Sequence, residues 1–275
     1  MGVSTLSEAG VLHVAPLFVP STRPDRFVKA ARSGAEAVII DLEDAVAPAE
    51  KSITRDALRR EILPDFPVIL RINAAGTQWF EDDARAALRL GINCLMLPKA
   101  ESVEDVQRLR QIAGDVGVIA LIESARGLAN ARNIALAGIQ RLAFGSIDYC
   151  VDIGCSHEPD AMLFARSEVV LASRLAGILP PLDGVTLSFE DQELVETDAR
   201  RAASLGFGGK LCIHPTQISI VQKAFAPTDA EVTWAQAILA HDSMGAANVA
   251  GTMVDEPVRL RARQILGRIS NRKEL

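Results

Sequence analysis

Eight apolar runs of strand length, each followed by a helix-length amphipathic stretch, constrain the fold of this chain more than any other feature. The runs lie at residues 11–20, 37–44, 67–73, 94–100, 116–124, 141–146, 181–185 and 208–215. Runs such as AVII and VIALI are continuous rather than alternating, which indicates strands buried on both faces of a parallel sheet. Eight successive strand–helix units are what a closed barrel requires, so the sequence predicts an α/β fold of the (β/α)8 TIM-barrel type.

A doubly wound parallel sheet is the competing architecture. It is disfavoured because no GxGxxG turn follows the first strand and because eight units exceed what such a sheet usually contains. Beyond residue 225 the chain has two more helical patterns, joined by AANVAGTM. We therefore predict a barrel domain over residues 1–226 and a C-terminal helical extension, or lid, over residues 227–275.

Composition excludes several classes of partner. The chain has 275 residues, and 29 Lys and Arg against 35 Asp and Glu give a net charge of -6, so no basic field is available for nucleic acid or anionic lipid. The N-terminal residues lack the pattern of a signal peptide, and no apolar run reaches the ~18 to 20 residues of a membrane helix. We expect a cytoplasmic protein whose four cysteines are reduced, since they form no CxxC pair.

Polar side chains follow nearly every predicted strand at its carboxyl end, where the active sites of such barrels lie. Any one of them could be a helix cap or a solvated surface residue, but their shared position favours a functional rim. The residues are Asp41, Glu43, Asp44, Arg71, Asn73, Lys99, Glu123, Asp148, Asp183 and His214.

Glu123 and Asp148 end strands that are adjacent in the predicted barrel, about 4.8 Å apart. Two carboxylates this close repel each other unless a cation lies between them. The pair favours Mg²⁺, with Mn²⁺ as a substitute, because zinc would require His or Cys ligands and only His214 is on the rim. Asp152 lies one helical turn beyond Asp148, and we interpret it as an acid in the first turn of a helix rather than as a ligand.

Arg71 is the second rim residue with a chemical interpretation. A strand buried on both faces has little use for a guanidinium unless the group points into the barrel mouth, where it can bind a carboxylate or a developing oxyanion. The alternative is a structural ion pair with Asp41, Glu43 or Asp44, and the two roles are compatible.

Several motifs, in order and at fitting spacing, resemble the citrate lyase beta-subunit-like family of CoA-ester lyases, which includes malyl-CoA and citramalyl-CoA lyases. The motifs are LFVPSTRPDRFVKA, VIIDLEDAV, ILRIN, LMLPKAES, LIESARGL, AFGSIDYCVDIG, GFGGKLCIHPTQI and GTMVDEPV. The resemblance covers nearly the whole chain. It implies a Mg²⁺-binding (β/α)8 barrel, usually a homotrimer or hexamer, that cleaves or forms a carbon–carbon bond beside a CoA thioester.

The resemblance also implies roles for individual residues. Glu123 and Asp148 match the metal ligands, and Arg71 matches the arginine on the thioester side of the substrate. Asp255, in GTMVDEPV, matches a lid aspartate that closes over the barrel mouth of a neighbouring subunit. Arg23 and His214 lie in stretches similar to those that line the CoA site.

The implied reaction is cleavage of a 3-hydroxyacyl-CoA into an acyl-CoA, such as acetyl-CoA, and a 2-oxo acid, with Asp255 as general base and Arg71 stabilising the departing enolate. Three alternatives are a citrate lyase beta subunit acting on an acyl-carrier-protein thioester, a malyl-CoA thioesterase, and a noncatalytic CoA-ester-binding barrel. Binding alone would not need the lid acid Asp255, which disfavours the last.

Overall fold

The computed structural model describes residues 13–240, 247–249 and 252–273. Eight strands form one parallel sheet in which every strand pairs with its neighbours in chain order. The predicted eight-stranded parallel α/β architecture is therefore confirmed. The strands are β1 (Leu17–Pro20), β2 (Val38–Asp41), β3 (Val68–Arg71), β4 (Cys94–Leu97), β5 (Gly117–Ile122), β6 (Arg141–Phe144), β7 (Leu179–Asp183) and β8 (Gly209–Lys210).

A helix follows each of these strands, and two follow β6. The helices are α1 (Phe27–Ala31), α2 (Lys51–Ala57), α3 (Phe80–Leu90), α4 (Val103–Ala113), α5 (Ala125–Leu136), α6 (Ser146–Ile153), α7 (Leu163–Ala176), α8 (Gln192–Leu205) and α9 (Pro215–Phe225). The helical stretch after β6 is divided in two, because α6 ends at Gly154, whose φ of 77° is left-handed, before α7 begins. None of the described helices is long and apolar enough to cross a membrane.

The sheet curls so that its first and last strands meet. Leu17 of β1 forms a parallel bridge with Cys212, just beyond β8. The backbone N–H of Phe18 donates to the Cys212 carbonyl at 2.9 Å, and the Cys212 N–H donates to the Pro16 carbonyl at 2.9 Å. The Lys210 N–H, in β8, also donates to the Val14 carbonyl at 2.8 Å. Because β8 is only two residues long, the seam has few such contacts, and the sheet is curled rather than continuously paired around a closed barrel.

Apolar side chains fill the space enclosed by the curled sheet. Alternate residues of a strand point to the same face, so each of the strands β2 to β7 contributes one or two side chains to this interior. The cluster consists of Ala37, Ile39, Ile69, Met96, Ile119, Leu121, Ala143, Leu182 and Leu211.

The strand register determines which rim residues become neighbours. Asp41 and Arg71, the last residues of β2 and β3, pair directly across the sheet. Ile122 pairs with Phe144 at the ends of β5 and β6, and the Gly145 N–H donates to the Ile122 carbonyl at 2.9 Å. Glu123, the next residue after Ile122, is therefore held beside the turn that begins α6.

The chain divides into two compact units, Met1–Gln222 and Lys223–Leu275, with the boundary inside α9. In the second unit, α10 (Asp229–Ala240) packs against α11 (Glu256–Lys273), and β9 (Ala247–Val249) and β10 (Thr252–Val254) form an antiparallel hairpin. The two helical patterns predicted beyond residue 225 are thus present. The small core of this unit consists of Ala235, Ile238, Val254, Ala262 and Ile265.

Candidate metal and substrate site

A cavity of about 420 Å³ opens among residues that end or follow the strands. This volume lies in the range of small-molecule sites, and its position is where parallel α/β sheets place their active sites. Its polar lining consists of Asp41, Asp44, Arg71, Glu123, Ser146 and Asp148. Its apolar lining includes Phe18, Leu121, Phe144, Val185, Leu187, Leu211 and Ile213.

Glu123, directly after β5, is as deeply buried as Asp41, with 3% of its surface exposed. Its Oε1 accepts a hydrogen bond from the backbone N–H of Lys99 at 2.8 Å. Burial, followed by the negative charge of Glu43, raises the pKa of Glu123 to about 8, and the charge of Asp148 adds to the rise. The charge of Lys99 lowers the pKa but does not offset these effects, so a further cation would stabilise the ionised form of Glu123.

Asp148 lies in the first turn of α6, directly beyond β6, and lines the same cavity as Glu123. It is half-buried. Gly145, at the N-terminus of α6, packs so closely against Glu123 that a β-carbon at this position would collide with the carboxylate. Glycine therefore allows the turn carrying Asp148 to approach Glu123.

Arg71 combines the structural role and the cavity position that the sequence left open. Its Nε and Nη2 donate to the two carboxylate oxygens of Asp41 at 2.7 and 2.6 Å, and its guanidinium lies 4.8 Å from the centre of the Phe18 ring. Burial opposes the charge, but the hydrogen bonds and charge of Asp41 outweigh burial and raise the pKa of Arg71. Nη1 donates to Asp44 at 3.4 Å, so the guanidinium is fixed at the cavity wall among the rim acids.

Lys99 and Glu43 form a second charged pair beside Glu123. The Lys99 Nζ lies 2.5 Å from Oε1 of Glu43 and 3.9 Å from Oε1 of Glu123. Glu43 also contacts Arg71, whose Nη1 lies 3.1 Å from its Oε2. Asp41 and Glu43 are therefore paired with cations of the chain itself, although burial outweighs the charges of Arg71 and Lys99 and raises the pKa of Glu43.

The residues present fit a hard divalent cation. Within the described part of the chain, no three His, Cys, Asp or Glu side chains are arranged to hold a metal ion. Mg²⁺ needs only one or two carboxylates, because water and substrate oxygens complete its octahedral shell, so Glu123 and Asp148 are sufficient. The close packing of Gly145 on the Glu123 carboxylate fixes one such ligand in place.

Asp183, another acid of the predicted rim, has a structural environment instead. It is fully buried at the end of β7. Arg166 donates to it at 2.9 Å and Lys210 at 3.0 Å. Burial alone would raise the pKa of Asp183, but the charges of Lys210 and Arg166 outweigh it and lower the pKa.

Arg23 and His214 are not among the described residues that line the cavity. Arg23 is exposed after β1 and donates to Asp25 at 2.9 and 2.8 Å, and these bonds raise its pKa. His214, before α9, stacks on Phe189 with a ring separation of 4.8 Å. The structure thus brings together Arg71, Glu123 and Asp148, and leaves these two residues apart from them.

Asp255 belongs to the second unit, where its Oδ1 accepts a hydrogen bond from the Val258 N–H at 3.1 Å and so caps α11. Asp152, interpreted from sequence as an acid in a helix's first turn, lies instead in the last turn of α6. Its Oδ2 accepts from the Ala125 N–H at 2.7 Å, so it caps the start of α5 rather than its own helix.

Sequence reasoning named Lys99 only as a rim residue and missed its contacts with both Glu43 and Glu123. The signal available was the charge itself, since a lysine directly after a buried strand needs a partner. The stacking of Phe18 on Arg71 left no comparable signal, because an aromatic residue in a strand is ordinarily part of the core.

Comparison with known proteins agrees with this geometry. The HpcH/HpaI aldolase/citrate lyase family model matches residues 15–215. A citrate lyase subunit beta-like protein of Mycobacterium tuberculosis is 39% identical over 92% of this chain and 94% of its own length. A (3S)-malyl-CoA thioesterase of Cereibacter sphaeroides is 32% identical over 92% and 93%.

Among solved structures, CitE from Mycobacterium tuberculosis in complex with magnesium, acetoacetate and coenzyme A superposes with a TM-score of 0.85. It is 39% identical, and the match covers 96% of this chain and 100% of that one. The extent of these matches shows that the chain belongs to the HpcH/HpaI aldolase/citrate lyase family.

Proposed function

We propose that this chain is a Mg²⁺-dependent carbon–carbon lyase. Its substrate would be a 3-hydroxyacyl-CoA of the citramalyl-CoA or malyl-CoA type, and its products an acyl-CoA, such as acetyl-CoA, and a 2-oxo acid. The observation that carries the proposal is the pair of carboxylates, Glu123 and Asp148, that line one cavity with Arg71. Support comes from the related CitE structure, which contains magnesium and coenzyme A.

Glu123 and Asp148 would hold the cation. Lewis-acid polarisation of substrate oxygens is the chemistry that a bound divalent cation supplies. Arg71 would stabilise the negative charge of the thioester enolate as the carbon–carbon bond breaks. Because Asp41 already fixes two of its nitrogens, Arg71 is preorganised and does not need to move during the reaction.

Asp255 is the proposed general base that takes the proton of the substrate hydroxyl. We further propose that the curled sheet acts as a (β/α)8 barrel over residues 1–226 and that residues 227–275 act as its lid. In a homotrimer or hexamer the lid would close over a neighbouring subunit, with Arg23 and His214 on the path of the CoA moiety.

The test is an assay of the purified protein against a panel of 3-hydroxyacyl-CoA esters, with 2-oxo acid and free CoA thiol measured separately. Release of 2-oxo acid that is abolished by chelation and restored by Mg²⁺ is the expected result. Glu123→Gln and Asp148→Asn should each remove this activity. Glu196→Gln, which neutralises an exposed acid of α8, is the matched control and should retain it.

Three outcomes would redirect or end the proposal. Free thiol without 2-oxo acid would indicate a thioesterase, the activity for which the Cereibacter sphaeroides relative is named. Cleavage only of an acyl-carrier-protein thioester would indicate a citrate lyase beta subunit. Full activity after exhaustive chelation would remove Glu123 and Asp148 as metal ligands.

The lid assignment has its own experiment. Asn caps helices about as well as Asp, so Asp255→Asn should preserve α11 while removing the proton acceptor. We expect intact CoA-ester binding with a loss of turnover of ~100-fold or more. Mixing this variant with Arg71→Ala should recover activity if the lid serves a neighbouring subunit, provided that a tagged variant co-purifies with the other. Mixed oligomers that stay inactive would place the base elsewhere.

A further inference from the structure

Glu43 is a third acid close to the proposed metal site. It follows β2 and has 6% of its surface exposed. Its carboxylate and that of Glu123 contact the same ammonium group, that of Lys99. A carboxylate this close to a metal ligand could join the coordination shell of a divalent cation if it were free to move, and each added carboxylate increases the affinity of such a site.

Glu43 is nevertheless held by two cations of the protein. The Lys99 Nζ lies 2.5 Å from one carboxylate oxygen, and the Arg71 Nη1 lies 3.1 Å from the other. The same Nζ lies 3.9 Å from the nearer oxygen of Glu123. The ammonium group therefore stands between the two carboxylates and occupies the position from which a cation could bind both.

The backbone of Lys99 is fixed in a conformation that few side-chain-bearing residues adopt. Its φ of 47° is the only positive value at a non-glycine position among the described residues. The Lys99 N–H donates to Glu123 at 2.8 Å, and the next N–H, of Ala100, donates to the Leu121 carbonyl at 3.2 Å. Such backbone outliers persist where surrounding contacts determine them, and they cluster at functional sites. Here the two hydrogen bonds fix the backbone position from which the Lys99 side chain extends.

We propose that Lys99 is a positioning residue that withholds Glu43 from the metal, so that the chain offers the cation two carboxylates rather than three. The inference rests on the proposed metal site at Glu123 and Asp148. Its consequence is chemical: a third carboxylate would fill a coordination position that the substrate oxygens need, and it would reduce the Lewis acidity of the cation. Lys99 thus lowers the affinity of the site for the metal and keeps a coordination position open for the substrate.

The test is a double-mutant cycle in which Mg²⁺ dissociation constants are measured by titration calorimetry at one fixed pH. Lys99→Met should bind Mg²⁺ ~10-fold more tightly than the parent, because Glu43 becomes available, and should turn over more slowly at saturating Mg²⁺. In the Glu43→Gln background, Lys99→Met should leave the Mg²⁺ affinity nearly unchanged. Lys99→Arg, which can still pair with Glu43, should bind Mg²⁺ like the parent.

Controls separate the alternatives. Lys29→Met removes an exposed positive charge from α1 and should change nothing. If Lys99→Met tightens Mg²⁺ binding equally with and without the Glu43→Gln substitution, Lys99 acts only through its charge. If Lys99→Met binds Mg²⁺ no more tightly than the parent, Glu43 is not withheld from the metal. Either result overturns the inference. If Lys99→Met does not fold, Lys99→Gln takes its place in the same cycle. A parent that binds no Mg²⁺, or a Glu123→Gln variant that binds it fully, would instead refute the proposed function.

Discussion

Asp183 and Glu123 are buried acids at the same end of one sheet, the first ending β7 and the second directly following β5, yet their surroundings are opposite. Asp183 contacts two cations, Arg166 and Lys210, and its pKa is lowered despite burial. Glu123 has one ammonium group 3.9 Å away and further acids nearby, and burial together with Glu43 raises its pKa to about 8.

The difference teaches how to distinguish a structural acid from a ligand on such a rim. Residue type, burial and position after a strand are shared by both residues. What differs is whether the chain supplies enough positive charge of its own. Asp183 is neutralised within the protein, whereas the one ammonium group near Glu123 does not offset burial and the neighbouring acids, and a divalent cation would supply the missing positive charge.

The largest expected effect is on stability, at the neutralised acid. Asp183→Asn would leave Arg166 and Lys210 buried without a counter-charge, and losing one partner of a buried ion pair typically costs ~3–5 kcal/mol. We expect a fall of that size in the free energy of unfolding measured by urea denaturation. The control Glu196→Gln breaks an exposed pair with Arg200 and should cost less than ~1 kcal/mol. Equal small losses in the free energy of unfolding in both variants would show that the buried pairs of Asp183 stabilise the protein no more than an exposed pair does.

Arg71 shares a feature with each of these acids. Like Asp183 it is paired within the protein, with Asp41, and like Glu123 it lines the cavity. Arg71→Lys keeps the charge but loses the two-point contact that orients it. We expect kcat to fall by ~100-fold or more, the size of effect seen when one oxyanion donor is lost. Arg132→Lys, at an exposed pair with Glu168, should leave kcat unchanged. A folded Arg71→Lys protein with parental kcat would make Arg71 a structural residue only.

The next effect tests whether packing fixes Glu123. Gly145→Ala introduces a β-carbon that collides with the Glu123 carboxylate, so the ligand must shift. We expect Mg²⁺ affinity to fall by ~10–100-fold, as is typical when support of a metal ligand is disturbed. Gly76→Ala is the matched control, because a β-carbon there meets nothing within 4 Å. Unchanged Mg²⁺ affinity in Gly145→Ala would mean that Glu123 is free to adjust.

Much of this comparison could be read from the sequence, and part of it could not. The apolar runs predicted the eight strands, and the polar residues after them predicted the rim, because the carboxyl ends of parallel strands meet at one edge. The runs could not show that Asp183 is neutralised, since its partners Arg166 and Lys210 lie far apart in the chain and meet it only through packing. Asp152 was misplaced for the same reason: its partner, the Ala125 N–H, begins a different helix.

The division between α6 and α7 did have a local signal. Gly154 and Pro159 interrupt the helical pattern after Asp148, and a glycine in a left-handed conformation commonly ends a helix. Reading the two residues together would have predicted two helices. The pairing of Glu43 with Lys99 and Arg71, in contrast, depends on distances of a few ångströms that no pattern of spacing determines.

The smallest expected effect is the pH dependence of stability in the protein stripped of metal by a chelator. Because the pKa of Glu123 rises from its ordinary value of 4.5 to about 8 on folding, the folded protein binds a proton that the unfolded chain releases. The contribution of Glu123 to stability is therefore greatest at low pH and is lost as pH rises from about 4.5 to about 8. Glu123→Gln removes this dependence, so near neutral pH the variant should be more stable than the parent by ~1 kcal/mol or more in urea denaturation.

Glu104→Gln, at an exposed acid of α4, should keep the parental pH dependence. Added Mg²⁺ should then stabilise the parent and not Glu123→Gln, since a ligand stabilises only the state that binds it. If the metal-free parent and Glu123→Gln follow the same pH curve, Glu123 is not short of positive charge, and the contrast with Asp183 fails.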